Sequence, residues 1–364
     1  SRIHGNTQHE RPGRIESISM QQSGGDAVRL THHAKSGTPG GVWRKAANTF
    51  RVLAAIAALC LGTADLVGAS GHSSPKERTP AAIAADEFFW EVFNGGDYDS
   101  IPAILEAMTA AYLGDPTDAI TAAHIGWTYL WRSTEQLRME VIPPTITNDP
   151  VLARKFFDRA VHFDRADARY LSDLAAGLIA EGYIHNQPKL VRRGNRLMRT
   201  RIRAFPEFNL FTNGYTQSRL PSDSPPFKKG LKDIWKNVDV CIGEKFDRDN
   251  PDMSPYLHLA TTVGPKRVCW NGGWIAPHNF EGFFLNFGDV LVKAGQWQTA
   301  QKVYANAKLV PEYSSWAFAS MLEERILRAE ENVEAFNAPP DENGRLANPI
   351  MSQSPAGCLG CHQN

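Results

Sequence analysis

Five cysteines in 364 residues and no excess of either charge are the first things this sequence withholds. With 39 Lys and Arg against 39 Asp and Glu, the chain has no bulk field to draw it to nucleic acid. It also lacks a G-x-S-x-G elbow, an H-E-x-x-H helix, a Gly-rich phosphate loop and a convincing carboxylate pair, which removes the best-marked hydrolase and nucleotide-binding classes. Strand-like alternation is scarce. Apolar residues instead recur at three- and four-residue steps in almost every stretch, which predicts an all-α chain, and a hydrophobic fraction of 42% can fill a substantial core.

The first methionine is Met20, and residues 1–19 read as preceding the start. Arg29, Lys35, Arg44, Lys45 and Arg51 then stand against Asp26 alone, before the apolar run "VLAAIAALCLG" from Val52 to Gly62. A basic stretch, an apolar run and the small residues Val67, Gly68 and Ala69 are the parts of a secretory signal, cleaved after Ala69. A retained anchor is the rival reading, but about 18 residues with Asp65 inside is short for a span of about 20. Leu59 speaks against lipid modification at Cys60. The expected location is the periplasm or cell envelope.

Export gives each remaining cysteine a required fate, because unpaired thiols seldom persist in an oxidising compartment. Cys241 and Cys269 have neither metal-type spacing nor an adjacent histidine, and are expected to form a structural disulfide; two buried thiols are the alternative. Cys358-Leu359-Gly360-Cys361-His362 has the pattern C-x-x-C-H. Thiols three positions apart can form thioethers to the two vinyl groups on one porphyrin edge, and the next imidazole can turn beneath the iron. The motif resembles the attachment site of c-type cytochromes. That resemblance implies one covalent haem c held by Cys358 and Cys361, with His362 as proximal iron ligand. Structural zinc wants four ligands, and a thioredoxin-like dithiol opens a helix after a strand; neither context is present. The chain departs from the usual monohaem pattern, since only Gln363 and Asn364 follow the motif. Such a haem has to be covered by the preceding residues or exposed to a partner.

In "FFLNFGDVLVKAGQWQTAQKVYANAKLVPEY", Phe284, Gly288 and Leu291 mark a first helix, Gly295 and Trp297 a turn, and Ala300, Tyr304, Ala307 and Pro311 a second helix and its end. The segment resembles a tetratricopeptide repeat (TPR). A weaker copy has Pro116, Gly126 and Tyr129, then an insertion around "MEVIPPTITNDP", then Ala153, Phe157 and Ala160. "FNGGDYDSIPAILEAM" reads as part of a first degenerate repeat, and "LSDLAAGLIAEGY" with "KLVRRGNRLMRTRIRAF" as a further helical pair. The resemblance implies an α-α solenoid of TPR-like helical pairs, with an irregular bundle as the alternative. The expected layout is upstream residues and signal over 1–69, a linker over 70–81 and degenerate repeats over 82–205. An irregular disulfide-containing insertion over 206–277, a repeat and final helix over 278–337, and a haem-attachment tail over 338–364 complete it.

For a sixth iron ligand, His278 stands out at a helix start after a Trp-rich loop; His258, Met253 and Met351 are alternatives, as is an open position. Lys189, Arg192, Arg193, Arg196, Arg199 and Arg203 form a basic stripe opposite Leu190, Leu197, Ile202 and Phe205. It reads as a solvated face, or as a docking surface for an acidic partner, haem propionates or anionic lipid. Glu323, Glu324, Glu330, Glu331 and Glu334 make the last helix acidic, so pairing with the stripe is a further option. Together these features predict an exported monohaem cytochrome whose repeats dock a redox partner protein or a multi-subunit electron-transfer complex. A haem enzyme or gas-binding protein with an open sixth site, and an envelope scaffold with a structural haem, are the rivals. Nucleic acid is not an expected partner; contact with a membrane surface is compatible with the basic stripe.

Overall fold

The structure is a computed structural model and describes residues 77–363 apart from 273–275, 343–345 and 355–356. The expected signal segment with Cys60, His72, most of the 70–81 linker and Trp274 lie outside the described residues.

The helices run α1 (Pro80–Gly95), α2 (Ile101–Gly114), α3 (Ala119–Thr134), α4 (Asp149–Phe163), α5 (Ala168–Ile184), α6 (Pro188–Ile202), α7 (Pro206–Gln217) and α8 (Pro225–Ile242). After a long connection come α9 (Asn279–Lys293), α10 (Trp297–Ala305), α11 (Ala319–Leu327), α12 (Asn332–Asn337) and the single turn α13 (Leu359–His362). Among the described residues the only extended pairing is one isolated bridge, Gly272 with Ala276.

Local chemistry sets the helix starts. Thr79 Oγ1 accepts the Ala82 N–H at 3.1 Å, Asp118 accepts from Ile120 and Thr121, and Ser224 accepts from Phe227. Proline opens the first turn of α1, α2, α4, α6, α7 and α8, where its missing N–H has no intrahelical partner to lose.

Consecutive helices pack on one another from α1 to α8, and again from α9 to α11, so the fold is all-α and solenoid-like. Two hairpins share one device. A Cβ on Gly126 of α3 would come within 2.6 Å of the Phe157 ring on α4, and one on Gly288 of α9 within 2.1 Å of the Tyr304 ring on α10. A glycine on the first helix thus admits an aromatic from the second.

Three parts of the expected layout differ. Residues 206–277 are not irregular throughout: α7 and α8 fill the first half, and among the described residues only those from Gly243 to His278 are irregular, with 3₁₀ turns at Ser254–Leu259 and Pro265–Cys269. The proline-rich "PSDSPPF" is a capped helix start and not a loop. The final acidic helix is two short ones, α11 and α12, with Arg328 pairing to Glu324 and Glu331 between them. The 338–364 tail is not a free tether. Ile350 and Met351 belong to the large core built on Phe280, Phe284 and Tyr304, whereas Leu359 belongs to the N-terminal core of Phe89, Phe93 and Trp131. Full burial of each such side chain contributes about 1.5–3 kcal/mol, which holds the tail between both cores.

Candidate site around the C-terminal cysteine motif

Asp289 on α9 anchors the approach to the motif. Its Oδ2 accepts the Met351 N–H at 2.6 Å, its Oδ1 accepts the Tyr304 hydroxyl at 2.6 Å, and Arg325 lies 3.3 Å away. The motif turn is then gripped by its main chain. Trp316 Nε1 donates to the Gly360 carbonyl at 2.8 Å, and the His278 N–H donates to the Cys361 carbonyl at 2.9 Å. The close seat on α9 depends on Gly282, where a Cβ would lie 2.4 Å from Cys361 Sγ and 2.6 Å from the Gly360 oxygen.

Cys358, Cys361 and His362 all line one cavity of about 560 Å³, within the range of small-molecule sites. Its wall is mostly apolar and aromatic, with Phe208, Phe211 and Tyr215 from α7 and Phe280, Phe283 and Phe284 from α9. Cys241 and Cys269 lie on the same wall and are bonded to each other, as the sequence predicts, with Cα atoms 5.9 Å apart. Cys358 and Cys361 are free thiols. Burial pushes Cys358 up to about 12, with the Glu135 carboxylate adding to it, and burial also raises Cys361. Both are therefore protonated at neutral pH, the reverse of the lowered thiol that opens a redox-active C-x-x-C.

The His362 ring rests 4.7 Å from Phe93 and 5.9 Å from Trp90, between centroids. Burial pushes its pKa down to about 3, so the imidazole is neutral and keeps a lone pair for a metal. Its Nδ1 is buried without a hydrogen-bond partner. His124, with its ring 5.2 Å from Trp90, stacks on Phe89 at 4.5 Å and pairs with Asp86.

The other ligand candidates separate cleanly. His278 is buried beside the motif, but its Nδ1–H donates to Glu281 Oε1 at 3.1 Å and it is not part of the cavity lining. His258 is exposed and bonded to the Pro255 carbonyl. Met351 is fully buried with its sulfur accepting from Ser354 Oγ, outside the cavity. Met253 is buried and does line the cavity. Among the described residues no group of three or more His, Cys, Asp and Glu side chains converges in a metal-holding cluster.

Several site residues carry little signal in the sequence. Phe208, Phe211, Tyr215 and Arg219 follow one another at three- and four-residue steps on or just past α7, a helical stripe masked by the prolines and serines around it. Burial raises Cys358 and Tyr215, and Arg219, exposed at the cavity edge, offsets part of that rise with its charge. Glu135, at the C-terminal end of α3, is fully buried with Arg138 Nε at 2.9 Å, and burial pushes it up to about 8. Asp173 on the cavity wall is likewise raised by burial to about 8.

No helix among the described residues is long and apolar enough to cross a membrane, and the disulfide mildly favours an oxidising location. No family model matches the chain, and no curated protein or solved structure matches it significantly.

Proposed function

We propose that this chain is an exported monohaem c-type cytochrome that passes electrons to a partner protein in the periplasm or cell envelope. The observation that carries the reading is that Cys358, Cys361 and His362 line one apolar cavity with both thiols unbonded. Cys358 and Cys361 would hold the porphyrin edge through thioethers, and neutral His362 would ligate the iron. Bound there, the haem would supply a one-electron couple. The aromatic wall from α7 and α9 would exclude water from the ring, and Arg219 at the edge is the cation available to a propionate. Met253, the thioether in the wall, is preferred to His278 as the sixth ligand, since Met253 lines the cavity and His278 does not.

The test is production of the full chain with a c-type cytochrome maturation system. Haem retained after acid–acetone extraction, with a low-spin spectrum that turns high-spin in Met253→Ala, is expected. Loss of all haem to the extract rejects the reading. Retained high-spin haem that binds CO would make the protein a gas-binding or catalytic haem protein instead.

A further inference from the structure

Residues 188–236 hold twelve Lys and Arg against three Asp and Glu, in a chain whose totals balance. Packing concentrates this charge. Lys189, Arg192, Arg196 and Arg199 project from one face of α6 into a groove of about 740 Å³, closed on the other side by Pro225, Pro226 and Lys229 of α8. Asn213 and Gln217 of α7 line it and are buried, so the groove is recessed. Only Lys229 has a carboxylate, Asp233 Oδ2 at 2.7 Å, which also accepts from Asn213 Nδ2 at 2.6 Å. Among the described residues no carboxylate pairs with the four cations of α6, and the acidic residues of α11 are paired elsewhere, Glu323 with Lys308 and Glu324 with Arg328.

Like charges at three- and four-residue steps on one helix repel, and a recess with low-dielectric walls concentrates their field. Arginine keeps its charge at any accessible pH and offers a fork of donors to an oxyanion. Pro225 and Pro226 present no N–H, so recognition falls on the side chains. Lys189 to Arg199 span about 15 Å of helix, enough to meet several anionic groups of one molecule at once.

We propose that this groove binds a small ligand carrying two or more phosphate groups. A recess favours a compact anion over a flat bilayer, and several separated cations favour several phosphates over one. The site is independent of the cavity: α7 divides them, turning Asn213 and Gln217 to the groove and Phe211 and Tyr215 to the cavity.

Calorimetric titration of the full chain with inorganic tripolyphosphate tests it. Saturable one-to-one binding is expected, weakened by salt and at least about tenfold tighter than orthophosphate, as a second charge-assisted contact implies. The variant Arg192→Gln/Arg196→Gln/Arg199→Gln is expected to lose about 100-fold in affinity. These three side chains are exposed, and unchanged thermal melting shows that the variant folds. Removing the same charge outside the groove, in Lys228→Gln/Lys232→Gln/Lys236→Gln, is expected to leave affinity nearly unchanged. Absence of saturable binding overturns the proposal, as does an equal loss in the two triple variants. Tighter binding of an oligoglutamate peptide, or of phosphatidylglycerol vesicles, than of tripolyphosphate would replace it with an acidic protein partner or a membrane.

Discussion

Cys241 with Cys269, and Cys358 with Cys361, border the same cavity, yet one pair is closed and the other open. The closed pair joins the end of α8 to a 3₁₀ turn 28 residues later. It holds an irregular stretch that has little regular hydrogen bonding of its own. The open pair is three residues apart, and its turn is already fixed by Trp316, His278 and the seat at Gly282. A bond there would constrain almost nothing. One pair therefore acts as a staple, while the other presents two protonated thiols and a neutral imidazole to a mostly apolar cavity.

The comparison breaks most sharply in the haem content. Cys358→Ala/Cys361→Ala is expected to release all haem to acid–acetone, whereas Cys241→Ala/Cys269→Ala retains it; haem loss from the second variant would mean that the closed pair also shapes attachment. The second variant is instead expected to lose about 3–4 kcal/mol in urea unfolding, from the loop it no longer closes. Gly282→Ala separates the seat from the staple. In an ordinary helix this change stabilises by about 1 kcal/mol, but overpacking against Cys361 and Gly360 is expected to cost about 1–3 kcal/mol net; a stabilised variant would show that the seat yields.

The smallest effect is a pH dependence beside the open pair. Glu135 is raised from its ordinary carboxylate value to about 8, so the native state holds a proton that the unfolded chain has already released. Its stabilising contribution is present below the unfolded pKa and is lost as pH rises toward and through 8. Glu135→Gln, which mimics the protonated acid, is expected to flatten this decline by at most about 1.4 kcal/mol per pH unit, read from urea midpoints between pH 6 and 7. Identical slopes in the two proteins would place the ionised carboxylate in the fold.

Much of this was legible in the residues. The small residues Gly288 and Ala300 predict a tight hairpin, and the structure adds that Tyr304 sits where a Cβ on Gly288 would collide. Gly126 and Phe157 repeat it in a less regular sequence. Residues 206–242 look irregular in sequence for a simple reason: Pro206, Ser224 and Pro225 are loop formers by composition but helix starters by position, and only the following periodicity distinguishes the two. The place of His278 after the Trp-rich loop points to the site in sequence. In the folded chain His278 lies beside the motif but outside the cavity lining, with Nδ1 bonded to Glu281 one turn along α9.

By itself the sequence determined the helical periodicity, the small residues that let a hairpin close, the donor set of C-x-x-C-H and, by elimination, which cysteines could pair. These depend on spacing within a few residues, or on counting. Tertiary structure decided that the tail is bound between two cores, that His362 is neutral and that both terminal thiols are protonated. It also drew the basic stripe of α6 into a recess against α8. Such properties come from desolvation and from contacts between residues far apart in the chain, and neither exists until the helices have packed.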